Sequence, residues 1–99
     1  MYAIVRIATY DPAAVEKGQK QLDECQEVHA SQPGYAGTVV VDVGGGRWVT
    51  VNLWDNEESA AAALPRMIPV VQRLVEPLLV TPSEMIGAGR VVLTDMKKA

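Results

Sequence analysis

A single cysteine, Cys25, excludes an internal disulfide, so whatever holds this 99-residue chain together is noncovalent. That usage points to a reducing, cytoplasmic setting, and Cys25, lying in an apolar helical stripe, reads as a small buried hydrophobe. Proteins that grip nucleic acid through its phosphates carry a strong basic excess. Here the formal net charge is -3, so nucleic acid is not an expected partner. The one basic pair, Lys97 and Lys98, sits in the terminal tail. Prolines and arginines cut every apolar stretch well short of a bilayer's thickness, and no membrane partner is expected. Met1 to Arg6 has neither a basic n-region nor a long apolar segment, so no leader is expected there. There is one histidine, His29, and no set of His, Cys or carboxylates at ligand spacing. Neither a metal site nor a Ser-His-Asp arrangement is expected.

What the chain does have is globular composition: 48% hydrophobic and 21% charged residues, which separates it from disordered sequences. Its length suits one core, a single domain over 1–95 followed by a tail over 96–99. Residues 2–10, β-branched and aromatic, read as a strand. Asp11-Pro12 supplies a helix cap and a proline suited to the first helical position. Val15, Gly18, Leu22, Cys25 and His29 then recur at steps of three and four, the spacing of one helix face, until Gln32-Pro33-Gly34 stops it. Residues 35–43 and 47–54 are two strands joined by Gly44-Gly45-Gly46, whose freedom at positive φ suits a tight hairpin. These glycines join strands and precede no helix, so they are not a phosphate-binding loop. Asp55-Asn56 followed by Glu57 and Glu58 caps a second helix. It carries Leu64, Met67, Ile68, Val71, Leu74, Val75 and Leu78 on one broad face. Pro65, Pro69 and Pro77 project away from that face and predict a kinked or split helix. Thr81-Pro82 ends it, and 85–94 supplies the last strand.

This order predicts an α+β fold of the ferredoxin-like βαββαβ type, a four-stranded antiparallel sheet with two helices on one face. The third strand shows what that leaves unsolved. Trp48, Thr50, Asn52 and Trp54 point one way and Val49, Val51 and Leu53 the other, so neither side is polar enough to face water. A second copy stacked sheet to sheet covers the spare face, giving a homodimer, a dimeric α/β barrel.

Two stretches carry a further likeness: His29-Ala-Ser-Gln-Pro-Gly-Tyr-Ala-Gly, and Trp-Val-Thr-Val-Asn-Leu-Trp-Asp-Asn-Glu-Glu-Ser from Trp48 to Ser59. A Pro-Gly-aromatic step into the second strand, a hairpin, and a strand ending in tryptophan before an acidic helix start resemble the antibiotic-biosynthesis monooxygenase family. The element order extends the likeness over nearly the whole chain. Its motif identifies the dimeric α/β barrel superfamily better than any one activity, because that superfamily also holds haem-degrading enzymes, lactone isomerases and stress-responsive barrels.

The resemblance implies a pocket between sheet and helices and an oxygenase without metal or flavin. A substrate that loses an acidic C–H or O–H reacts with oxygen itself, and the protein orients it, favours its anion and excludes water. Carried over by position, Trp54 matches the strand-end tryptophan, and Asn52, on the same face, is placed to donate to a substrate oxygen. His29 stands as base or hydrogen-bond partner; Tyr35, Arg6 and Arg90 are further substrate-binding candidates. Bland readings stand beside these. Trp48 and Trp54 suit packing, Asn52 a structural hydrogen bond, His29 a helix C-terminus, Tyr35 packing after the turn, and the arginines pairing with acids such as Asp42 or with the partner subunit. The second helix lacks the tyrosine some anthrone-oxidising relatives use and the histidine that ligates haem iron in haem-degrading ones, which counts against haem degradation.

The sequence therefore suggests a small cofactor-independent monooxygenase acting on an anthrone, quinol or polyketide-like phenol, with His29 and Asn52 as its catalytic residues. Two other readings stay open. One is a non-catalytic dimeric barrel that binds a small aromatic or apolar ligand or a partner protein, and the other a lactone-isomerase type of proton-transfer enzyme.

Overall fold

The computed structural model describes residues 1–96, and Lys97 and Lys98, like most of the expected tail, lie outside the described residues. In chain order it contains β1 (Tyr2–Thr9), α1 (Pro12–Lys17), α2 (Gln19–Ala30), β2 (Tyr35–Gly44), β3 (Arg47–Trp54), α3 (Glu57–Leu74), a 3-10 turn (Glu76–Leu78) and β4 (Glu84–Arg90). The strands form one antiparallel sheet in the order β2-β3-β1-β4. The helices pack on one face of it, so the ferredoxin-like α+β expectation describes the molecule.

The caps read from sequence are made. Asp11 accepts from the Ala13 amide ahead of Pro12, and Asn56 accepts from the Ser59 amide at 2.8 Å, with Glu57 and Glu58 in the first turn. In the hairpin, Gly45 and Gly46 hold φ of 67° and 78°, the pair of positive values a two-residue type I′ turn needs.

Three expectations need correction. The first helix is two, broken at Gly18, which is buried against Leu78: a Cβ there would meet Leu78 Cδ2 at 2.7 Å and the Ala14 carbonyl oxygen at 2.9 Å. The inward stripe of α3 is Ala60, Ala63, Met67 and Leu74, while Leu64 (53%) and Ile68 (46%) stay exposed. Small alanines win those positions because the helix must come close above Trp54. Pro65 and Pro69 do project outward. The last strand ends at Arg90, not at 94, because its partner runs out: Arg90 pairs with Tyr2, and the Val91 amide reaches only the Met1 carbonyl, at 2.9 Å.

Register sorts the side chains into rows. On the helix-facing side run Tyr35, Trp54, Tyr2 and Arg90; then Thr38, Asn52, Ile4 and Ala88; then Val40, Thr50, Arg6 and Met85. The other side shows Val39, Val41, Val49, Val51, Leu53, Val5 and Ile7. No described helix packs there, and Val41 is 47% exposed.

The Pro33-Gly34-Tyr35 step is a structural joint. Gly34 sits at φ 81°, its carbonyl accepts from the Asp55 amide at 2.8 Å, and a Cβ would run into the Ser59 side chain. Gly34→Ala is expected to cost about 2 kcal/mol or more in urea unfolding. Gly45→Asn, whose Cβ meets nothing within 4 Å, should stay within about 0.5 kcal/mol of wild type.

Candidate functional site

Antiparallel pairing sets Tyr35 of β2 directly beside Trp54 of β3, and the last turn of α2 lowers His29 onto both. The His29 ring centre lies 5.2 Å from that of Tyr35 and 5.3 Å from that of Trp54, and Tyr35 meets Trp54 edge-on at 5.9 Å. Ala60 and Ala63 close over the indole, with Tyr2 and Ile4 at its flank, leaving Trp54 only 2% exposed. Its Nε1–H is buried with no acceptor among the described residues. An unpaired buried donor costs about 1–3 kcal/mol, so this is a place where the fold holds a hydrogen-bonding group in reserve.

One row along, Asn52 lies on the same face of the sheet. Its Oδ1 accepts from the Thr38 hydroxyl at 3.1 Å, that hydroxyl accepts from Tyr35 Oη at 2.7 Å, and Tyr35 accepts from Gln26 Nε2 at 2.9 Å. The sequence reading missed Thr38 and Gln26. Register, once known, places Thr38 opposite Asn52, but nothing in the composition of β2 distinguishes it from a surface threonine.

The two arginines separate. Arg6 is half-buried, diagonal to Asn52, and donates from Nη2 to the Ser83 hydroxyl at 3.1 Å, not to Asp42. Arg90 is exposed at the strand end, two strands from Trp54 in the first row. His29, Tyr35, Asn52 and Trp54 are thus brought together, Arg6 lies close by, and Arg90 stands at the margin.

Two cavities lie elsewhere. One, of about 250 Å³, is lined by Tyr10, Pro12, Val15, Asp42, Gly44, Gly45, Gly46 and Trp48 at the hairpin end, where Tyr10 and Trp48 pack at 4.6 Å. The other, of about 260 Å³, lies along Glu76 and Leu79 to Pro82. Among the described residues no cluster of His, Cys, Asp or Glu is placed to hold a metal ion, and no helix is long and apolar enough to cross a membrane.

Burial holds His29 below the ordinary histidine value of 6.5, so the imidazole is neutral near pH 7. Burial likewise raises the Tyr10 phenol, with Cys25 adding to the effect, and raises the Cys25 thiol, with Glu24 adding there. For His29 the linkage has a definite sign. As pH falls through 6.5 the unfolded chain gains a proton that the folded one refuses until lower pH. The stability His29 contributes is therefore full above 6.5 and is lost as pH falls through its folded value. Urea unfolding between about pH 7.5 and 5 should show a loss of stability that is shallower in His29→Gln, and equal slopes would place His29 in contact with water.

No family model matches the sequence, and no curated protein does. Solved structures match over almost the whole chain. SnoaB, a cofactor-independent oxygenase from Streptomyces nogalater solved as an asparagine-to-alanine mutant, superposes with TM-score 0.74 at 21% identity, covering 94% of each chain. A candidate antibiotic biosynthesis monooxygenase from Nitrosomonas europaea gives 0.73 at 14% identity, over 94% of this chain and 100% of the other. MhuD, a heme-degrader from Mycobacterium tuberculosis with two hemes bound in its active site, gives 0.71 at 17%, over 97% and 100%. At these identities the likeness is one of fold, and the chain has the α+β fold of antibiotic biosynthesis monooxygenase-like proteins.

Proposed function

We propose that this protein is a cofactor-independent monooxygenase that works as a homodimer on an aromatic, readily deprotonated substrate such as an anthrone, quinol or polyketide-like phenol. The observation that carries the reading is the buried, acceptorless Nε1–H of Trp54 beside the amide of Asn52 and a neutral imidazole. Two neutral donors on one face of the sheet suit an oxygen whose charge grows as the substrate loses a proton, because dipoles held by the fold need no solvent to reorganise. His29 takes that proton. The resulting anion reacts with dioxygen: a ring methylene becomes a carbonyl, one oxygen atom stays on carbon and the other leaves as water. Four electrons leave the carbon and four reduce oxygen, so no outside reductant is required.

Arg6, with one N–H spent on Ser83, supplies positive charge diagonal to Asn52 and favours the enolate or phenolate. Arg90 meets the substrate's outer edge. Tyr35 presents its ring to Trp54 while its hydroxyl is engaged elsewhere. With Trp54 covered, substrate enters as α2 and α3 part. Two polar contacts join them: an exposed ion pair, Arg73 to Glu24 at 3.3 Å, and a partly buried hydrogen bond from Gln21 Nε2 to the Leu74 carbonyl at 3.2 Å. An exposed ion pair of this kind contributes no more than about 1 kcal/mol. The open valine face fits a second copy, whose own valines would remove both surfaces from water.

Haem does not suit these residues. The single imidazole is on α2, packed between Tyr35 and Trp54, and α3 has none. A non-catalytic barrel is the second reading, favoured by the close cover over Trp54 and by cavities that exclude His29 and Asn52.

Oxygen uptake with a simple anthrone and no added cofactor should saturate for wild type and fall about 100-fold in kcat for Asn52→Ala. A rate no higher than the spontaneous one across anthrones and quinols, with thermal stabilisation by the same compounds, supports the binding barrel instead. Light scattering at micromolar concentration should give twice the chain mass of 10.7 kDa. Val51→Asp, at the centre of the open face, should shift it to one; a wild-type monomer would sink the dimer.

A further inference from the structure

Four side chains outside any described cavity form one continuous hydrogen-bonded line: Gln26 on α2, Tyr35 and Thr38 on β2, and Asn52 on β3. Its direction follows from acidity. A phenol is the stronger donor and an aliphatic hydroxyl the better acceptor, so the short 2.7 Å contact runs from Tyr35 Oη–H to Thr38 Oγ1. Thr38 has a single hydroxyl proton, and with Tyr35 donating to its oxygen that proton points to Asn52 Oδ1, at 3.1 Å. The other end is consistent, because Tyr35 Oη, having given its proton, accepts from Gln26 Nε2 at 2.9 Å.

The consequence falls on the Asn52 amide. An isolated asparagine can turn its oxygen or its nitrogen to a given neighbour at little cost. Here the oxygen is taken, so the Nδ2–H pair is turned away from Thr38. A reversed amide would set N–H against a hydroxyl already oriented to donate. We propose that Thr38 is a positioning residue, which Tyr35 and Gln26 hold in turn, and that it fixes Asn52 as a hydrogen-bond donor. The inference deepens the oxygenase reading, since it rests on Asn52 donating to substrate oxygen. It gives Tyr35 a task through Thr38 in place of direct substrate contact. It also makes the site selective for a ligand that presents an anionic or carbonyl oxygen to Asn52, and unfavourable to one that presents an N–H or O–H there.

The test reads the amide itself. In 15N-labelled protein the side-chain NH2 signals of Asn52 are assigned by their loss in Asn52→Ala. They are then compared in wild type, Thr38→Val, which keeps shape and removes the hydroxyl, Thr38→Ser, which keeps the hydroxyl, and Tyr35→Phe. The expected result is a shifted or broadened Asn52 pair in Thr38→Val, a smaller shift in Tyr35→Phe, and wild-type signals in Thr38→Ser. Backbone spectra should stay folded throughout. Unchanged Asn52 signals in Thr38→Val overturn the proposal, as does an equal change in Thr38→Ser. With an anthrone, Thr38→Val should lower kcat about five- to tenfold with KM little changed, and Thr38→Ser should restore it. If wild type consumes no oxygen, the oxygenase reading fails alone, and the amide signals still decide the role of Thr38.

Discussion

Burial of Trp54 at the end of β3 is the constraint from which much of the molecule's shape follows. The indole is the largest side chain to be almost fully enclosed, and its neighbours have been chosen around it. Ala60 and Ala63 are small because α3 must approach the ring closely. Gly34 lacks a side chain because the chain turns into β2 where α3 begins, with Ser59 in the way and the Asp55 amide needing the Gly34 carbonyl. That joint puts Tyr35 across from Trp54, and α2 brings His29 down on the pair. The Pro-Gly-aromatic step and the strand-end tryptophan, twenty residues apart in sequence, are therefore two halves of one joint.

The same sheet faces a second constraint on its far side. Strand β3 is apolar or amphipathic on both faces, and the helices can cover only one. On the covered face the sequence tolerates Asn52, Thr50, Thr38 and Arg6, while the open face is almost wholly valine, leucine and isoleucine. In a monomer that would be an inverted arrangement, with polar groups beneath helices and aliphatic ones toward water. It makes sense if the valine face becomes the dry interior of a pair and the helix side houses a polar site. The interior face of a single chain is then the less hydrophobic of its two surfaces.

Most of this architecture was legible in the sequence because it rests on local rules. Strict alternation marked β3, paired positive-φ glycines marked the hairpin, and Asp11 and Asn56 marked helix starts through their own hydrogen bonds. What was not legible depends on partners distant in sequence. The α3 stripe was misplaced onto Leu64 and Ile68 since hydrophobicity alone prefers leucine to alanine, and only the bulk of Trp54 reverses that choice. Gly18 looked like a helical position and proved to be a break, because Leu78 presses on it from sixty residues away. Of the candidate site, His29, Asn52 and Trp54 were put forward by face and by resemblance. Thr38 escaped both, since its importance lies wholly in which residue sits opposite.

The same burial gives the candidate site two features, of which the first costs stability at any pH and the second only below about pH 6.5. The Trp54 N–H lacks an acceptor among the described residues, and burial holds the His29 pKa low. Phenylalanine at position 54, with repacking around it, or an apolar residue at position 29 would remove either group. A core shaped only for packing has no use for either group. Together with an asparagine whose oxygen is already satisfied, they give a buried donor, an oriented donor and an unprotonated base on one side of the sheet. The proposed oxygenase needs that combination: donors for negative charge on oxygen and a base for the proton whose loss creates it, two tasks that in water would each require solvent to reorganise.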